Sequence, residues 1–306
     1  NTALNAMRQY RIGLRTMLEM GVLDRYYLRL EPQNYAEDVP GELAATIKKT
    51  SRAAVNKTSA RVFDRIMERL PDGRFKLRQS PPVLQHVDIA DETTLTEAFR
   101  EYLTSVPADV AMLLSQFRLT DIARRVVGVG SVGTRCYLLI LTTSDGTPLI
   151  LQVKQANKSV LADYGLRRQP ESLTIAEKAL GQGVRVVAGQ RILQAMSDVF
   201  LGTLRLGGRD FYVRQFQDMK GSVDLVGMSP QAFGEYVGAC ALSLARAHAQ
   251  SVAAPVLYGY VGDGKTVSQA VVEWSYAYAD KALDDFHQLQ AAAKAGDIEV
   301  ADDPLR

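Results

Sequence analysis

Cysteine, tryptophan and histidine are scarce in this chain, at two, one and three among 306 residues. Cys136 and Cys240 lie in apolar patterns without ligand-like spacing. That argues against a disulfide scaffold and against zinc, and fits a reducing cytoplasm. His86 and His287 have no acid and nucleophile near them in the sequence, which gives no support to a hydrolase triad. A dominant charge is missing too: 36 Lys and Arg stand against 34 Asp and Glu, for a net +2. The field of the whole molecule therefore gives no argument for nucleic acid or a membrane as partner. No apolar run reaches the length of a membrane span, and the N-terminus lacks the basic-then-apolar pattern of a signal peptide. What is present is a globular composition, 47% hydrophobic, sufficient for one large domain or two smaller ones.

The most informative stretch is Val126-Val-Gly-Val-Gly-Ser-Val-Gly-Thr-Arg-Cys136, followed by an apolar run to Thr143, the turn Ser144-Asp145-Gly146-Thr147, and a second run ending in Lys154. Gly-x-Gly-x-x-Gly also opens dinucleotide-binding folds, but there the third glycine starts a helix and an acid follows about twenty residues on. Here Cys136 to Thr143 is β-branched, aromatic and aliphatic with no helical polar face, and Asp-Gly signals a hairpin. A glycine loop between strands, with a lysine on the next strand, is how kinase-like folds grip nucleotide phosphates. A plain structural hairpin and an NAD loop are the competing readings. Alternation puts Leu149, Leu151 and Val153 on one face of the lysine strand and Ile150, Gln152 and Lys154 on the other. Lys154 then points toward a bound phosphate, and Gln152 lies beside the base.

The order of elements predicts an α+β protein. Residues 1–120 read as a mostly helical region, 121–220 as a nucleotide-binding lobe with a five-stranded antiparallel sheet and a helix, and 221–306 as a helical region that packs with the first. Between Lys48 and Arg78, ten basic residues face three acids, read as a solvated helix face carrying Arg61, Arg65 and Arg69. Val184 to Ser197 has helical spacing, and Lys178 to Ser197 holds no acid. The glutamate that pairs with the strand lysine in a kinase would have to be Glu177 or Glu171. Val199–Leu206 and Phe211–Phe216 flank Gly207-Gly208 as a second hairpin. Gln217 to Ser222 follows in the position of a hinge, where Asp218 is a candidate ligand contact. Ser229-Pro230 starts a helix whose stripe of Phe233, Tyr236, Val237, Cys240, Ala241, Leu244 and His248 is expected to face a core. His248 is read as a satisfied buried histidine. Trp274, Tyr278 and Phe286 are expected as core on a last helix from about Thr266 to Ala295.

Val126 to Cys136, Leu151-Gln-Val-Lys154, Val187 to Asp198, Phe211-Tyr-Val-Arg-Gln215, Asp218-Met-Lys-Gly-Ser222 and Leu244-Ala-Arg-Ala-His-Ala249 jointly resemble the bacterial domain of unknown function 2252 family, in its C-terminal two-thirds. The resemblance implies a kinase-like fold related to aminoglycoside and choline phosphotransferases, with its parts permuted, and ATP with Mg as cofactors. It also implies a catalytic Gly-Asp-x-His-x-x-Asn-Phe-Gly loop and a metal-binding Asp-Phe-Asp upstream of the glycine loop. Neither is found in these residues. The start at Asn1, within a helical stripe of Leu4, Met7, Tyr10, Leu14 and Leu18, is read as a cut inside a larger protein, with a native chain whose first residues were processed or disordered as the alternative. Gly128, Gly130, Ser131, Gly133, Gln152, Lys154 and Asp218 are thus expected to bind the nucleotide, with no catalytic base and no metal ligand in the chain. The fragment alone is expected to be inactive. The implied function is the nucleotide-binding part of a phosphotransferase acting on an unknown small molecule or protein, with a non-catalytic nucleotide-binding regulator as the alternative.

Overall fold

The structure, a computed structural model, describes residues 2–30, 41–55, 59–71, 75–87, 92–126, 133–165, 169–194, 197–216 and 223–300. In chain order the elements are α1 (Thr2–Glu19), α2 (Val22–Tyr27), α3 (Glu42–Val55), α4 (Ser59–Ile66), β1 (Met67–Arg69), β2 (Phe75–Leu77), β3 (Leu84–His86), α5 (Glu92–Ser105), α6 (Ala108–Leu114) and β4 (Arg118–Arg125). There follow β5 (Cys136–Thr142), β6 (Pro148–Gln155), α7 (Val160–Asp163), α8 (Glu171–Leu180), α9 (Gly183–Leu193), β7 (Gly202–Leu206) and β8 (Arg209–Gln215). The last elements are α10 (Pro230–Ala249), α11 (Ala254–Val261) and α12 (Lys265–Ala295). The chain forms two compact units. One comprises Asn1–Arg52, Ile192–Ala195 and Ser222–Ala301; the other comprises Ala53–Arg191, Met196–Gly221 and Asp302–Arg306.

The second unit is built on an antiparallel sheet of order β3-β4-β5-β6-β8-β7. It has six strands, not the expected five, because β3 pairs with β4 at the edge. The three-residue strands β1 to β3 are too short to leave a period-2 signal among the prolines and charges around them. Both predicted hairpins form. Gly207 and Gly208 have φ +56° and +69°, the paired positive values that match a two-residue turn to the twist of its strands. At the other hairpin, Thr147 N–H donates to Asp145 Oδ1 (3.1 Å) and Thr143 Oγ1 (2.9 Å).

Strands β5 and β6 are buried on both faces, which is why they read as aliphatic runs. Leu149, Leu151 and Val153 join Leu139, Leu141 and Val213 in a core closed by Tyr102, Val106 and Val110 of the α5–α6 region. Ile150, Leu138 and Ile140 join a second core closed by Val62, Phe63 and Ile66 of α4. Helix α5 is tied to β7 by Tyr102, whose buried hydroxyl donates to Phe200 O at 2.9 Å, and by Ser105 Oγ, which accepts from Thr203 N–H at 2.8 Å. Of the expected arginine stripe, Arg61 and Arg65 are exposed on α4, but Arg69 belongs to β1 because the helix stops at Ile66. Between Lys154 and α9 the chain contains the helix α8.

In the first unit, Ser229 caps α10 as predicted, its Oγ accepting from Ala232 N–H at 3.2 Å. The buried face differs from the expected stripe. Ala232, Gly238, Ala241, Ala245, Arg246 and Ala249 are buried, while Phe233, Cys240, Leu244 and His248 are exposed. The physical reason is close helix packing: α1 crosses at Gly13, where a Cβ would lie 2.8 Å from Leu242 Cδ2 and 3.1 Å from Ala245 Cβ. His248 is satisfied at the surface, its Nδ1 2.8 Å from Tyr10 Oη. The predicted last helix is present, but Trp274, Tyr278 and Phe286 are more than half exposed on it. Trp274 and Tyr278 stack on each other instead, 5.2 Å apart.

Arg246 is the polar centre of this unit. It is 3% exposed and donates to the carbonyls of Leu28 (2.9 Å), Tyr26 (3.1 Å), Leu193 (2.9 Å) and Ile192 (3.4 Å). The fixed fork of a guanidinium suits four acceptors at helix ends whose carbonyls have no intrahelical partner. Burial lowers its pKa. Arg246→Met should destabilise the protein by on the order of 3 kcal/mol, since buried carbonyls lose charged donors. Chemical denaturation monitored by circular dichroism checks this, and an unchanged midpoint would contradict it.

Candidate functional site

The register of the sheet assembles the site. Cys136 lies opposite Lys154, and Lys154 opposite Tyr212. One rung inward, Leu138, Gln152 and Arg214 are aligned. Arg124 faces Tyr137 on the other side, so Arg125 continues the row toward Cys136. Opposed residues in an antiparallel sheet project from the same face. Four strands therefore supply Arg125, Cys136, Lys154 and Tyr212 to one surface, with Gln152 and Arg214 beside them.

The interior of this cluster is polar and bonded. Gln152 is 2% exposed; its Oε1 accepts from Arg214 Nε at 3.3 Å, and its Nε2 lies 3.5 Å from Cys136 Sγ. Arg125, 6% exposed, sets its guanidinium 5.0 Å above the Phe216 ring. Burial pushes the Cys136 thiol pKa up, against the opposing pull of Lys154, Arg125, the Gln152 hydrogen bond and Arg214. Burial likewise raises Tyr212, with Arg214 opposing. Three cations thus act on one buried thiol.

Helix α9 lies on the same face. At Gly183 an added Cβ would meet Phe211 O at 2.2 Å and Thr203 Cγ2 at 3.0 Å, and Thr203 is the neighbour of Tyr212 in the row. The helix brings no acid. Glu177, on α8, places Oε1 3.4 Å from Arg185 Nε, with both side chains largely buried. Among the described residues, no group of three or more His, Cys, Asp and Glu is arranged to hold a metal ion.

Over residues 1–292 the chain matches the family described as an uncharacterized protein conserved in bacteria (DUF2252). The chain belongs to that family. No curated protein and no solved structure matches it.

The sequence-predicted residues fall into two groups. Gln152 and Lys154 share the face described above, and Gly133, with φ +79°, stands three residues before Cys136. A strand, not a helix, follows it, which removes the requirement of an NAD loop. Gly128, Gly130, Ser131 and Asp218 lie outside the described residues, as does the 217–222 hinge. Arg125 and Arg214 were missed. Alternation along β8 would have put Arg214 on the face of Tyr212, but only the cross-strand register shows that this is also the face of Lys154. A second pairing was also invisible in the sequence: His86 Nδ1 is 2.7 Å from Asp121 Oδ1, an acid brought from 35 residues away by the β3–β4 ladder. Among the described residues, no helix is long and apolar enough to cross a membrane.

The two cysteines give a direct test of this geometry, because Cys136 is 3% exposed and Cys240 is exposed. With a thiol reagent near neutral pH, the native protein should release one equivalent of chromophore rapidly and a second only in denaturant. Two rapid equivalents would place Cys136 at the surface. The raised Cys136 pKa favours the protonated thiol in the fold, so its contribution to stability is full below the ordinary thiol range and is lost as pH rises above that range through the raised folded-state value.

Proposed function

We propose that this chain is the nucleotide-binding part of a kinase-like, ATP-dependent phosphotransferase. The observation that carries the reading is the half-buried Lys154, on the strand next to the one that follows Gly133 and on a face shared with Cys136 and α9. That is the relation between lysine, glycine turn and helix that phosphate binding in such folds requires. The run β4-β5-β6-β8-β7 supports it as the five-stranded part of the sheet. In this reading Lys154 supplies a point charge to the phosphates, and Gly128, Gly130 and Ser131 are the expected glycine-motif contacts. ATP supplies the phosphoryl group when bound. The catalytic base and magnesium ligands lie outside these residues, and the acceptor is a small molecule or protein.

A second reading, a nucleotide-binding regulator without catalysis, is favoured by one specific observation: α9 carries no acid, and Glu177 is engaged by Arg185. Both readings require nucleotide binding. Isothermal titration with ATP should give saturable binding, weakened roughly tenfold or more in Lys154→Ala, the scale of a lost charged hydrogen bond, with the unliganded melting temperature retained. Absence of binding to the wild-type protein would refute both. Release of γ-phosphate by the protein purified from its source would favour the first; binding without turnover would favour the second.

A further inference from the structure

The residues around Lys154 say more about the ligand than the motif does. The motif accounts for one cation, yet the face carries three, one from each of β4, β6 and β8. They differ in what they can do. Arg125 is buried against Phe216 and contributes field, not contact, in a region of low dielectric where charge acts over a longer range. Lys154 and Arg214 are half-buried and reach solvent.

Arg214 is oriented by a specific device. Its Nε donates to Gln152 Oε1, and Gln152 is held in turn by burial and by Cys136. With Nε committed, the terminal nitrogens form no hydrogen bond among the described residues. They present the planar fork that binds phosphate oxygens in pairs. Gln152 therefore spends its polar groups on the protein. The expectation that it lies beside the base gives way to a different role, as a positioning residue for Arg214.

We propose that the polyphosphate tail, not the nucleoside, carries most of the ligand's binding energy, gripped jointly by Lys154 and the guanidinium fork of Arg214. The substrate class is a triphosphate-bearing anion. This rests on the nucleotide-binding reading and deepens it. A polyphosphate with several negative charges meets three cations on one small face, and such binding weakens steeply with salt.

The test is a competition titration of the whole chain with ATP, inorganic tripolyphosphate and adenosine, without magnesium and then with it. Tripolyphosphate should displace ATP with an affinity within about tenfold of that of ATP, while adenosine should not compete; tenfold corresponds to about 1.4 kcal/mol. Arg214→Gln should weaken ATP and tripolyphosphate by the same factor, roughly tenfold. Gln152→Leu should give a smaller loss for both ligands, and exposed Arg15→Gln should give none. If ATP binds but tripolyphosphate does not compete, or if Arg214→Gln binds like wild type, the inference falls and the nucleotide reading stands. If tripolyphosphate binds and ATP does not, the nucleotide reading falls and the polyanion site stands. If neither binds, both fall.

Discussion

The site depends on the register that sets Cys136 against Lys154 and Lys154 against Tyr212. A slip of one residue in β6 would carry Lys154 and Gln152 to the opposite face, into the core lined by Leu139, Leu141 and Val213. That core would then hold a charge and an amide without partners, a cost of several kcal/mol. Ile150 on one side and Leu149, Leu151 and Val153 on the other fix the register from both faces. The chemistry at the end of the strand is positioned by the apolar packing at its middle.

Several buried polar groups in the two units are used up by protein partners. Arg246 closes four helix-end carbonyls, and Gln152 joins Arg214 to Cys136. Tyr102 and Ser105 secure α5 to the backbone of the β7 region. These groups are short of carboxylates: the Arg246 bonds all go to backbone oxygens. Such bonds add specificity as well as stability, because unmaking any one leaves a buried acceptor unsatisfied. Close contact through small residues does the corresponding work where polar groups are absent, as at Gly13 on Ala245.

Much of the sheet was legible in the sequence because its signals are local. The Asp145-Gly146 and Gly207-Gly208 turns, the alternation around Lys154 and the Ser229-Pro230 helix start each involve neighbours in the chain. What was not legible depends on distant partners. The edge strand β3 is defined by its pairing with β4, and the His86–Asp121 contact by that same ladder. The face of α10 was misread because the apolar stripe marks large side chains, whereas a crossing helix at Gly13 selects alanines. The aromatic residues of α12 misled in the same way: an amphipathic pattern records that a face is apolar, not that something covers it. Arg214 escaped notice because a lone arginine on a strand has no signal until its neighbour across the sheet is known.

The family match extends over residues 1–292, so the cationic face lies within the matched region. The most direct measurement of the central claim is labelling with an acyl-phosphate derivative of ATP, which acylates the lysine nearest its phosphates, followed by peptide mass spectrometry. The account predicts acylation at Lys154, suppressed by excess ATP and by tripolyphosphate alike. Acylation concentrated on Lys158 or another surface lysine, or labelling of Lys154 that neither competitor suppresses, would contradict it.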